Sequence, residues 1–481
     1  MINGINSTVK YTASLLLFFL FFTACARVPR VNRHGLPQRE YVYEQPEAAD
    51  DGWETSSLRA EGIEPAKLYE MMHAILAGDS RYIHSILLIK NGKLVFEEYF
   101  FGYSRDTKHF LASVSKSVTS LAIGLTIDKG YVLDVATPAS ETFSNYKRTK
   151  WIEQEYPIRL KHMLTMTAGL NWDALSHRRS HPGHTTYQMY ASSDPIEFVL
   201  NRNLSDIPGQ KFNYNSGLTI LMGEMVRIKS GMGIDEFTGK FLFAPLGISD
   251  YSWDRFPDGA VQTDGGLHLR PRDMAKIGYM MLKNGQWRGK QVVSQKWITA
   301  STQTHINGLG LGYGYQWWRG KAFINELEIE VVYASGHGGQ KIFIIPQLDL
   351  VAVFTSKVFN PTGHRGPERI LIKYILPAMI PAGAPRKTVK LDPGYLDRLT
   401  GKYKIKDIDA VIPVFRKEDT LYAKTGFWET VELFPESENR FFGFSKNLGD
   451  FQVDVINDEK GDVRKLIAYF ELRSMQLEKV E

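Results

Sequence analysis

Over residues 85–99 the chain reads Ser-Ile-Leu-Leu-Ile-Lys, then Asn91-Gly92, then Lys-Leu-Val-Phe-Glu-Glu-Tyr. Asn-Gly supplies the positive φ angles that a tight hairpin turn demands, so two adjacent antiparallel strands are predicted. Over 113–129 the period changes. Val114, Val118, Leu121, Ala122 and Leu125 recur at three- and four-residue steps, and Gly130 supplies a C-terminal stop. This run is apolar on more than one face, which predicts a central, buried helix. Further helical stretches are read at 160–166, 218–230, 234–242 and 271–284. Two late strands, 341–345 and 350–355, flank the turn-like Pro346-Gln347-Leu348-Asp349. Strands at both ends with helices between predict an α+β domain rather than alternating βαβ units.

Regular structure is expected to begin near Leu58. A boundary falls in 377–393, where Pro381, Gly383, Pro385 and Pro393 interrupt any regular element. Beyond it, strand-like runs at 410–414, 420–423, 431–434, 440–444, 451–456 and 463–470 predict a small all-β barrel or sandwich of about 90 residues. Residues 26–55 are polar, with Pro29, Pro37 and Pro46 and the acidic Glu47, Asp50, Asp51 and Glu54, the composition of a tether. The expected organisation is a leader at 1–24, a tether at 25–55, an α+β domain at 56–385 and the β domain at 391–481.

Length agrees with this division, since 481 residues exceed one compact core. With 43% hydrophobic and 23% charged residues the chain carries no disorder signature. Its net charge of +5 comes from 58 basic and 53 acidic residues, scattered rather than bunched, so no nucleic-acid stripe is read. The leader has Lys10 ahead of an apolar run over 15–22, far short of the roughly 20 residues needed to span a bilayer, and reads as a signal peptide. The only cysteine, Cys25, sits where small residues end that run, which excludes a disulfide within one chain. This resembles the lipobox of bacterial lipoproteins, which implies a diacylglycerol on Cys25 and a place in the bacterial cell envelope. The alternative is an ordinary signal with an incidental cysteine.

A hydroxyl is a poor nucleophile at neutral pH and needs a neighbouring base. Ser113-Val114-Ser115-Lys116 places an amine at i+3, on the same helical face. The spacing alone is weak, because it recurs at Ser7/Lys10 and Ser144/Lys147. Position distinguishes Ser113: it opens an apolar helix, whose dipole favours developing negative charge. A buried lysine there must be paired or neutral. Tyr214 held beside Lys116 would be a base matched to a serine proton and then an acid for the leaving group; by itself, a tyrosine before Asn-Ser is more often a packed aromatic.

Three further segments stand out with Ser113 and Lys116: 160–170, 208–216 with Tyr214, and Ser335-Gly336-His337-Gly338-Gly339-Gln340. The chain resembles the serine β-lactamase-like superfamily: class C β-lactamases, penicillin-binding D,D-peptidases, family VIII carboxylesterases and 6-aminohexanoate-dimer hydrolases. Ser113 and Lys116 resemble its first motif, and Pro208-Gly209-Gln210-Lys211-Phe212-Asn213-Tyr214-Asn215-Ser216 its second. Ser335-Gly336-His337-Gly338-Gly339-Gln340 resembles the third, and 160–170 a scaffold segment between the first two. The resemblance covers roughly 58–375. It implies an antiparallel sheet with flanking helices plus an all-helical subdomain, with Ser113, Lys116 and Tyr214 catalytic. It also implies an oxyanion hole made by the backbone N–H groups of Ser113 and Gln340. Gly338 and Gly339 lack side chains, so a substrate carbonyl can approach that strand edge.

His337 departs from the Lys-Thr-Gly of class C enzymes. A lysine is a constant positive charge for a substrate carboxylate, whereas an imidazole acts only when protonated or by a neutral hydrogen bond. With Ser216 in place of asparagine, this leans towards esters and amides. His177, His181 and His184 cluster around Pro182, which breaks the i, i+4 geometry of a zinc pair, and no metal site is expected. That loop is expected over the active-site mouth. The run Tyr313-Gly314-Tyr315-Gln316-Trp317-Trp318 reads as core packing or as a pocket wall. No Gly-x-Ser-x-Gly elbow and no Walker or Rossmann glycine pattern occurs.

The expectation is a serine hydrolase that cleaves a small ester, amide or D-amino-acid-containing peptide through an acyl-enzyme on Ser113. Substrate contacts are assigned to Ser216, His337, Gly338 and Gly339, with no cofactor, no metal and no nucleic-acid partner. The alternatives are a lipoprotein that binds cell-wall peptides or muropeptides without turnover, and a penicillin-binding D,D-peptidase.

Overall fold

The computed structural model describes residues 40–79, 82–146, 150, 156–174, 181–324, 327–357, 366–380, 386–406, 410–425, 429–446 and 449–480. Cys25, the leader and His177 lie outside them. Nine strands build one sheet: β1 (Glu54–Thr55), β2 (Ile83–Lys90), β3 (Lys93–Tyr99), β4 (Ile306–Gly308), β5 (Leu311–Tyr313), β6 (Trp318–Ile324), β7 (Leu327–Gly336), β8 (Gln340–Ile345) and β9 (Leu350–Ser356). Their order is β1-β3-β2-β9-β8-β7-β6-β5-β4. Only β1, beside β3, is parallel to its neighbour. The β2–β3 hairpin forms at Asn91 and Gly92, with φ of 52° and 81° as expected.

Alternation along the central strands divides the core in two. Leu87, Ile89, Ile342, Ile344, Val351 and Val353 pack with α2 (Val114–Asp128) and a helix at Pro271–Leu282. On the other face Ile86, Leu88, Phe343, Ile345, Ala352 and Phe354 pack with α1 (Pro65–Ala77) and residues 370–380. Both faces are covered, which is why these strands read as continuous apolar runs. In α2 every residue from Val114 to Thr126 is buried. Its polar side chains find partners: Ser115 Oγ donates to Ala112 O (2.7 Å), Ser117 Oγ to Gln316 O (2.7 Å) and Thr119 Oγ1 to Thr263 O (3.0 Å). The helical subdomain contributes α3 (Leu160–Leu164), α4 (Thr185–Ala191) and α5 (Ser216–Ser230).

Residues 40–55, expected as tether, lie against the domain instead. Tyr41 Oη donates to Glu98 (2.8 Å), Tyr43 Oη to Val95 O (2.8 Å) and Trp53 Nε1 to Arg272 O (3.2 Å). Aromatic anchors spaced among polar residues hold this segment without any periodic pattern. Six strands, not two, lie between 306 and 356. β4 to β7 were hidden because the aromatic run of 313–318 is broken by Gly314 and by Gln316, whose φ is 63°.

The C-terminal domain is a closed eight-stranded barrel: β10 (Gly401–Ile405), β11 (Val411–Lys417), β12 (Thr420–Lys424), β13 (Thr430–Ser437), β14 (Arg440–Ser445), β15 (Gly449–Asn457), β16 (Val463–Phe470) and β17 (Arg473–Lys479). The two strands absent from the sequence reading, β10 and β17, pair with each other and close it. The turn between β16 and β17 is Glu471-Leu472, both with positive φ. It docks on the sheet edge: Ser474 N donates to Gly310 O (2.8 Å), Lys321 N to Leu472 O (3.3 Å) and Arg473 Nη1 to Leu309 O (2.5 Å).

Candidate active site

Ser113 occupies the N-cap of α2, and its hydroxyl makes no capping bond. Ala112 before it has a φ of 47°, a conformation costly for a residue with a Cβ. It persists because Leu267 N donates to Ser115 Oγ (3.1 Å), the same hydroxyl that bonds Ala112 O. The serine is thereby presented at the helix start, beside N–H groups that no backbone partner within the helix can use.

One turn on, Lys116 is 2% exposed. Its Nζ lies 3.4 Å from Ser113 Oγ, 3.1 Å from Ser216 Oγ and 2.6 Å from Asp264 O, and donates to all three. Nζ also stands 5.4 Å from the centroid of the Tyr214 ring. Ser113, Tyr214 and Ser216, from two distant motifs, therefore meet around the Lys116 nitrogen; the sequence placed Tyr214 beside Lys116 but assigned Ser216 only to substrate.

The Tyr214 loop is held by the scaffold segment. Gly209 N donates to Thr167 O (2.7 Å), Asn213 N to Met166 O (2.8 Å) and Asn213 Nδ2 to Trp172 O (3.0 Å). Asn215 caps α5 by accepting from Leu218 N (3.3 Å), which orients Ser216 inward. Neighbouring Tyr313 is no competing base: burial, and then Tyr214, push its hydroxyl well above the usual tyrosine range.

The third motif forms the turn between β7 and β8. Gly338 and Gly339 have φ of 89° and 97°, a left-handed region that glycine enters without strain. A Cβ on Gly336 would stand 2.2 Å from Leu111 O, so the turn is brought against the chain just before Ser113. The Gln340 side chain fixes the turn: Nε2 donates to Ser356 O (2.5 Å) and His337 O (3.3 Å), and Oε1 accepts from Ser356 N (3.0 Å). The sequence reading used only the backbone N–H of Gln340 and missed this clamp. His337 is half-buried on the same turn.

The Beta-lactamase family model matches residues 80–376, more than half of the chain. The chain belongs to the Beta-lactamase family. The 6-aminohexanoate-dimer hydrolase of Paenarthrobacter ureafaciens is 26% identical over 297 residues, 58% of this chain and 73% of that protein. Penicillin-binding protein 4* of Bacillus subtilis is 22% identical over 426 residues, 76% of this chain and 89% of that protein. Among solved structures, a putative 6-aminohexanoate-dimer hydrolase from Bacillus anthracis superposes with a TM-score of 0.56 at 20% identity, covering 70% of this chain and 91% of that one. That last likeness shows the β-lactamase-like fold.

Within this β-lactamase-like site, Asp264 is the residue that sequence reasoning missed. It sits in Thr263-Asp264-Gly265-Gly266, a string that reads as a turn. The fold presses it between α2 and α5, and Tyr190 of α4 bonds its carboxylate. The loop ahead of α4 was expected over the mouth; α4 itself reaches the rear of Lys116. Among the described residues no group of three or more His, Cys, Asp or Glu is arranged to hold a metal ion.

Proposed function

We propose that the protein is a serine hydrolase that cleaves a small ester or amide through an acyl-enzyme on Ser113. The observation that carries this is the convergence on Lys116 Nζ, with Ser113 Oγ at 3.4 Å, Ser216 Oγ at 3.1 Å and the Tyr214 ring at 5.4 Å. Ser113 Oγ attacks the carbonyl carbon, and its proton passes to the phenolate oxygen of Tyr214. The backbone N–H groups of Ser113 and Gln340 hold the oxyanion, and collapse expels the leaving group, which takes the proton back from Tyr214. Water then attacks the acyl carbon, gives its proton to Tyr214 and frees the acid, while Ser113 Oγ recovers that proton. His337 and Ser216 line the substrate side.

The test is incubation of the mature protein with a fluorophosphonate and with a p-nitrophenyl ester, with Ser113→Ala as control. Labelling and turnover abolished by Ser113→Ala are expected. A wild-type protein inert to both reagents would be a binder without turnover, and a mutant as active as wild type would remove Ser113 from the mechanism. Acylation by a β-lactam, seen as a mass increase, would favour the D,D-peptidase alternative. We also propose that a lipid on Cys25 tethers the enzyme in the bacterial envelope; Cys25→Ala is expected to abolish labelled-palmitate incorporation.

A further inference from the structure

We propose that Asp264 is a positioning residue for this reaction. Its buried carboxylate, braced by Tyr190, holds Lys116 as a fixed cation between Ser113 and Ser216 and so leaves proton transfer to Tyr214. The inference rests on the acyl-enzyme reading above and deepens it.

Asp264 is fully buried. Its Oδ1 accepts from Tyr190 Oη (2.7 Å), while Oδ2 has no hydrogen-bond partner and lies 3.5 Å from Lys116 Nζ. Its backbone oxygen takes the shortest of the three Lys116 bonds, at 2.6 Å. A buried carboxylate oxygen without a hydrogen bond is costly unless a charge compensates it, and Lys116 Nζ is the cation placed to do so. The three acceptors around Nζ match the three donors of an ammonium group. A nitrogen committed in this way has no lone pair to take the proton of Ser113, whereas the phenolate of Tyr214 has one.

The placement is rigid. Thr263, the preceding residue, donates from Oγ1 to Thr219 O of α5 (2.8 Å) and accepts at its backbone oxygen from Thr119 of α2 (3.0 Å). Tyr190 packs on Phe256, with ring centroids 5.2 Å apart. The helices that carry Ser113, Lys116 and Ser216 are thus tied to the segment that carries the counter-charge. The titratable groups around Lys116 are Asp264 and Tyr214, with Tyr190 behind the carboxylate, Tyr313 beside Tyr214 and His337 on the neighbouring turn. A counter-ion serving folding alone would affect melting; a positioning carboxylate also changes the pH profile of the reaction.

The experiment measures kcat and KM against pH for a p-nitrophenyl ester, with fluorophosphonate labelling and thermal melting, on wild type, Asp264→Asn and Tyr190→Phe. Asp264→Asn preserves shape and removes the charge. It is expected to lower kcat by about 10- to 100-fold while KM stays within about threefold, because Asp264 is sealed from substrate. Its alkaline limb is expected to move to lower pH by about one unit, because the anion 3.5 Å from Lys116 Nζ is gone. Tyr190→Phe should shift the limb in the same direction by less, and it carries the test if Asp264→Asn does not fold. A wild-type limb in the folded variants, with or without a drop in kcat, would overturn the inference alone. A wild-type protein that neither labels nor turns over overturns the acyl-enzyme reading and this inference together.

Discussion

Trp318 stacks on Tyr214, with ring centroids 6.0 Å apart and planes 21° from parallel. Trp318 in turn meets Tyr313 edge-on at 4.5 Å. The ring of the proposed proton carrier is therefore set by an aromatic wall on β5 and β6 as well as by its own loop. Trp318→Ala is expected to reduce kcat by about 10-fold through loss of Tyr214 placement, and Trp318→Phe to retain most activity. Steady-state kinetics on the two variants checks this; equal activity in both would detach the wall from catalysis.

The same strand touches the barrel. A Cβ on Gly320 would stand 2.3 Å from Leu472 O, and Leu472 is 2% exposed within the sheet's own core cluster. Removing that side chain leaves a cavity at the junction, so Leu472→Ala should destabilise by about 2–5 kcal/mol. Leu472→Gly should be milder than its lost side chain suggests, because the residue has a φ of 69°. Urea unfolding of both variants gives the comparison.

Lys341 Nζ and Glu368 Oε1 form a buried ion pair at 2.5 Å, with side-chain exposures of 5% and 7%. Glu368→Leu strands the lysine and is expected to cost about 3–5 kcal/mol, whereas Lys341→Met with Glu368→Leu should recover much of that loss. A double-mutant cycle read by denaturant midpoint would reveal a non-coupled pair as simple additivity.

His84 on β2 lies 2.8 Å from His109, nitrogen to nitrogen, on the strand that leads to Ser113. Burial first, then the charges of His109 and Lys357, hold His84 down to about 4 from its ordinary 6.5. The folded chain then binds fewer protons than the unfolded one between those values, so stability present above pH 6.5 is lost as pH falls towards 4. His109 and His162 shift in the same direction. His84→Phe should make the fall in Tm between about pH 7 and pH 5 shallower. An unchanged slope in thermal melts would place the acid sensitivity in other groups.

Much of this was legible in the order of residues. Local signals predicted the β2–β3 hairpin, the buried α2 and an all-β C-terminal domain, because Asn-Gly turns, apolar period and short strand runs are properties of neighbouring residues. Ser113, Lys116, Tyr214 and Ser216, which the fold brings together, could be singled out as candidates because they lie in contiguous strings. The packed segment 40–55, the strands β4 to β7 and the closing strands β10 and β17 were not found, since partners far away in the chain define them.

By itself, the sequence determined that one buried helix presents Ser113 and Lys116 at i and i+3, and that Tyr214 and Ser216 share a second, separate string. Only the tertiary structure decided what surrounds Lys116. Asp264 lies 148 residues further along the chain than Lys116, and Tyr190 74 residues before Asp264. Neither belongs to a motif. Burial explains the difference: a charge enclosed among α2, α4 and α5 must be answered by whatever group the packing brings within reach, and packing of segments so far apart leaves no local pattern to read.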